Sequence, residues 1–66
     1  MKTYHIRTDM ERGTVTAPSL LEAVKQFFGA HIPSLQALNY RINPQDGGWC
    51  RIECDGETLV EIGSYI

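Results

Sequence analysis

The chain has 66 residues, a formal net charge of −2, 42% hydrophobic and 21% charged residues. That mixture is too apolar for disorder and lacks the basic surface of a general nucleic-acid binder, although a local basic patch stays compatible with it. The length corresponds to one domain, 1–66, which buries only about 60% of the surface its unfolded chain exposes, so its core is small. No apolar run approaches the ~18 residues of a membrane span, and Met1-Lys2-Thr3-Tyr4-His5 lacks the apolar stretch of a signal peptide, so a cytoplasmic protein is expected.

Residues 3–8 read as a strand, with Tyr4 and Ile6 on one side and Thr3, His5 and Arg7 on the other. Asp9-Met10-Glu11-Arg12-Gly13 is a polar connection, and residues 14–17 alternate again with Val15 and Ala17 inward, giving a first hairpin. Pro18-Ser19-Leu20-Leu21-Glu22 starts a helix. Ser19 can accept the N3 amide, and Glu22 can reach back in a capping box. Leu20 or Leu21, Val24, Phe27 and Phe28 then form one apolar stripe, and Gly29 ends the helix in a left-handed conformation. At nine or so residues this helix cannot persist alone and must dock on a sheet.

Residues 30–36 read as a loop, with Pro33 blocking helix continuation and Ile32 and Leu35 tucked beneath it. Residues 37–42 read as a third strand, with Leu38, Tyr40 and Ile42 inward and Asn39 and Arg41 outward. Asn43 to Gly48 is the densest turn signal in the chain. Trp49-Cys50-Arg51-Ile52-Glu53-Cys54 alternates with period two and runs into Asp55-Gly56, a hairpin signal, and residues 58–62 return. A plain two-residue turn there would set Arg51 opposite Val60. A three-residue loop or a bulge shifts the parity and puts Cys50, Ile52 and Cys54 on one face with Thr58, Val60 and Ile62, the register expected here. The fold class is therefore α+β, in the order β-β-α-β-β-β: one twisted antiparallel sheet with a single helix on one face.

The uncovered sheet face is the candidate site. It is expected to show His5, Arg7, Arg41, Trp49, Arg51 and Leu59, with Asp46 in a shape-setting loop beside it. Trp and Arg are the residues most enriched at energetic hot spots of protein interfaces, so this pattern points to a non-enzymatic protein-binding module. Small adaptors and inhibitors, phage-encoded inhibitors of bacterial defence systems among them, share the size and plan, which is a likeness of architecture alone. Three other readings compete. The same residues can form an ordinary solvated face, with Arg51 and Arg41 paired to Glu53 and Glu61 and Trp49 packed over Leu59. They can bind single-stranded nucleic acid, with Trp49 stacking on bases and arginines on phosphates. The last strand, Leu59-Val60-Glu61-Ile62 with Tyr65-Ile66 beyond it, can pair edge to edge in a homodimer or structural oligomer.

Chemistry of other kinds has weak signals. Cys50 and Cys54 stand roughly 13 Å apart along a strand, too far for a mutual disulfide and too far to share a tetrahedral zinc. They read as small buried apolar residues in a reducing compartment. A Cys-His dyad has little room for a water-excluding pocket, and Gly47-Gly48 lacks the lysine and helix of a phosphate-binding loop, so no enzyme, metal or cofactor is expected.

Overall fold

The computed structural model describes residues 1–63. Strand β1 (Lys2–Thr8) alternates exposed and buried positions, with Tyr4 and Ile6 inside, as its period-two pattern requires. Strand β2 is Arg12–Ala17. The turn between them is tighter than the sequence suggests. Thr8 N–H donates to the Glu11 carbonyl at 2.7 Å, and the Thr8 hydroxyl accepts the Met10 and Glu11 amides at 3.1 and 2.9 Å. Arg12 and Gly13 therefore belong to the strand and not to the loop.

Helix α1 (Leu20–Phe28) begins where Ser19 accepts the Glu22 amide at 3.3 Å. Ala23 and Val24 are buried, while Leu20, Phe27 and Phe28 pack on the core from its margin. Gly29 ends the helix at φ 125°, ψ 148°, a positive-φ region outside the left-handed helical one that was expected.

The stretch expected to be a third strand is a second helix, α2 (Leu35–Ile42). Leu38 and Ile42 point inward under either geometry, because i and i+4 share a face in both a strand and a helix. Tyr40 separates the two: it would face the core in a strand but is 76% exposed on the helix. Leu35 also comes out at the exposed first position, while Ile32 is buried as expected. Ser34 caps α2 by accepting the Ala37 amide at 3.2 Å, and Asn43 ends it in the left-handed conformation. A single 3-10 turn (Pro44–Asp46) follows, and Gly48 passes so close to the end of α2 that a Cβ there would collide with the Ile42 carbonyl oxygen.

Strands β3 (Cys50–Cys54) and β4 (Glu57–Ile62) form the second hairpin. Asp55 and Gly56 both have positive φ, 53° and 81°, as a tight two-residue type I′ turn requires. The ladder then slips by one residue at the Ile52–Glu53 step: Glu53 faces Thr58, but Ile52 faces Val60, so Leu59 is the extra residue of a bulge. Tight turn and parity shift thus coexist. Val60 and Ile62 join the Cys50–Ile52 side as expected, whereas Thr58 lies opposite Glu53.

The sheet is four-stranded and antiparallel throughout, in the order β2-β1-β3-β4. Among the described residues the architecture is α+β with two helices, so the order β-β-α-β-β-β and the single helix are corrected to β-β-α-α-β-β. The core is made by Tyr4, Ile6, Ala17, Ala23, Val24, Ile32, Leu38, Ile42, Cys50, Ile52 and Cys54. It fills the space between the helices and one face of the sheet. Neither helix covers the other face. No helix among the described residues is long and apolar enough to cross a membrane.

Candidate functional site

The strand registers build the open face row by row. Arg7 pairs across to Arg12 on one side and to Arg51 on the other, and Arg51 pairs to Glu61. One row crossing all four strands therefore reads Arg12, Arg7, Arg51, Glu61. The next row reads Thr14, His5, Glu53, Thr58. Like charges opposite one another destabilise a sheet, so a row of three guanidinium groups needs neighbours that offset the repulsion. Arg7 has one: its Nη2 donates to Glu53 Oε1 at 2.6 Å, a diagonal contact. Arg51 lies 3.9 Å from the Glu61 carboxylate and donates to the Thr58 hydroxyl at 3.3 Å. Arg12 makes no ion pair among the described residues. Each pair keeps one partner, Arg7 or Glu61, well exposed to solvent and contributes roughly 0–1 kcal/mol.

Trp49 immediately precedes β3 and is half-buried at the end of this face. With Arg7, Thr8, Met10, Glu11 and Arg12 it lines a shallow cleft of about 420 Å³. Met10, at the tip of the β1–β2 turn, is 87% exposed. A second shallow depression, of about 480 Å³, continues across His5, Arg12, Thr14 and Glu53. His5 sits in the middle of the face, with its Nδ1 at 3.4 Å from the Thr14 hydroxyl.

Of the residues singled out from the sequence, the structure brings His5, Arg7, Trp49 and Arg51 together on the open face. Leu59 is on β4 in the bulge, 42% exposed, away from Trp49, whose backbone neighbour is Gly63. Arg41 is displaced to the other layer, because residues 37–42 are helical. It lines a small cavity of about 80 Å³ with Phe28, Ile42 and the helix-facing side of the β1–β2 turn. Asp46 is spent locally, accepting a 2.6 Å hydrogen bond from the Asn43 side-chain amide within the turn after α2.

Arg12 is the face residue that the sequence reading missed. The Gly after it looks like the end of a loop. Gly13 is instead a strand residue on the helix-facing side, where a Cβ would stand 2.9 Å from the Phe27 ring. The visible signal was parity: Arg12, Thr14 and Thr16 continue one period-two series through that glycine.

Both cysteines are free and buried on the inner side of β3. Burial pushes the Cys50 thiol up to about 11, which makes it a poor nucleophile near neutral pH. Among the described residues no three His, Cys, Asp or Glu side chains are grouped as metal ligands. Comparison with protein-family models, curated proteins and solved structures returned no match.

Proposed function

We propose that this chain is a non-enzymatic protein-binding module of the adaptor or inhibitor type, and that it binds through the open sheet face. The observation that carries the reading is the row Arg12–Arg7–Arg51, of which Arg7 and Arg12 share a cleft with Trp49 and Met10, on a face that neither helix covers. Guanidinium groups and an indole on a strand scaffold offer bidentate hydrogen bonding and apolar contact together, the chemistry of interface hot spots. The non-enzymatic part of the proposal rests on four described residues: Ser19 and Ser34 serve as helix caps, and Cys50 and Cys54 are buried. Two free cysteines suit a reducing compartment, and a cytoplasmic location is proposed on that ground.

The test is a nuclease-treated pull-down from the native cells using wild type, Trp49→Ala and Arg51→Ala, each checked for fold by circular dichroism. Loss of a captured protein in both folded variants is the expected result, with a loss of roughly 2 kcal/mol in affinity for Trp49→Ala. Equal capture by all three removes the open face from consideration. Capture that disappears with nuclease alone moves the function to single-stranded nucleic acid.

A further inference from the structure

We propose that the cleft between Trp49 and the β1–β2 turn receives an acidic side chain from an extended segment of the partner protein. The carboxylate would sit on Arg12, and an adjacent apolar side chain would lie against Trp49 and Met10. The inference rests on the protein-binding reading and names the chemistry of what is bound.

Charge complementarity carries it. Arg12 stands directly opposite Arg7 in the strand register, and Arg7 stands directly opposite Arg51. Glu53 engages Arg7, and Glu61 lies beside Arg51. Arg12, the terminal member of the row, is exposed and has no carboxylate of its own among the described residues. A carboxylate from a partner completes the series and relieves the repulsion between Arg12 and Arg7. A planar guanidinium matches a carboxylate with two parallel hydrogen bonds. The cleft that Arg12 lines is also lined by the Trp49 indole and by the exposed Met10. That pairing of a cation with apolar walls fits an acidic residue next to a bulky one.

The face around the cleft argues against a nucleic-acid backbone, because Glu53 and Glu61 interrupt it. Tracking a phosphodiester chain needs a continuous positive groove, whereas separated carboxylates along a peptide suit alternating charge.

Trp49 is the single tryptophan in the chain, so its emission reports on the cleft directly. The protein is titrated with a random copolymer of glutamate and tyrosine, with polyglutamine of similar length, and with oligo-dT, exciting selectively at the tryptophan. Saturable change with the acidic copolymer is expected, weakening as salt rises. Arg12→Glu should weaken it at least tenfold, and Lys25→Gln, a charge removed from α1, should leave it within twofold. No saturable change up to roughly 1 mM acidic residues, the weak end of specific recognition, overturns the proposal. So does equal binding of oligo-dT, equal affinity in folded Arg12→Glu, or self-association of the protein that accounts for the signal. If these fail while the pull-down still depends on Trp49 and Arg51, the protein-binding reading stands and the acidic segment falls. If both fail, neither survives.

Discussion

At the scale of single residues, the tightest constraint is Gly48. Its missing Cβ makes room for the Ile42 carbonyl oxygen where the chain leaves α2 for β3. A side chain of any size must push two backbone segments apart. Gly48→Ala should therefore remove most of the ~3–5 kcal/mol that a core this small supplies, seen as loss of a cooperative urea transition. Cys50 makes a second residue-scale prediction. Its thiol is raised by burial from 9.0 to about 11, so the folded state holds the proton more tightly than the unfolded chain. The resulting stabilisation is complete below pH 9.0 and is lost as pH rises toward about 11. Urea melts of wild type should lose on the order of 2 kcal/mol more over that window than those of Cys50→Ala. A parallel loss in both proteins would assign the pH dependence to other groups.

At the scale of elements, the two helices open on the same three residues, Pro18-Ser19-Leu20 and Pro33-Ser34-Leu35. In each the serine hydroxyl accepts the amide three residues on. Only the first is followed by a glutamate and a clear apolar stripe, and only the first was legible as a helix. The second is ambiguous, because Leu38, Tyr40 and Ile42 satisfy a period of two while Leu35, Leu38 and Ile42 satisfy a helical one. Ser34→Ala should cost about 1 kcal/mol by chemical denaturation, and Ser19→Ala a similar amount, since each leaves a helix amide uncapped. The second hairpin shows the opposite case. Asp55-Gly56 announced its turn, and the clash of charges in a simple register announced a parity shift. The bulge at Leu59 reconciles the two by looping one exposed residue out of the ladder.

At the scale of the whole molecule, the order β2-β1-β3-β4 leaves β2 and β4 as the edges. The last strand is an edge, as edge-to-edge pairing would require, but it carries the bulge and two glutamates, Glu57 and Glu61. Irregularity and charge both disfavour continuing a ladder into another copy. Sedimentation of the isolated chain should accordingly give a 7.4 kDa monomer. A dimer dissociated by Leu59→Lys would reinstate the last strand as an oligomer interface. Tyr65 and Ile66, expected to extend that strand or meet a partner, lie outside the described residues.

Local features were legible along the chain: both hairpins, the first helix with its cap, the buried alternation of Tyr4, Ile6, Cys50, Ile52 and Cys54, and the outward set His5, Arg7 and Arg51. Each depends on neighbours within a few residues, where periodicity and turn chemistry are explicit. Long-range packing set what no local window contains. It made residues 35–42 a helix because only a second helix covers the sheet with Leu38 and Ile42 while leaving Tyr40 in water. It set β1 between β2 and β3, which aligned Arg12, Arg7 and Arg51 in one row, and it carried Arg41 to the opposite layer. Strand order and layer follow from how apolar faces cover one another across the fold, and spacing along the chain does not encode that choice.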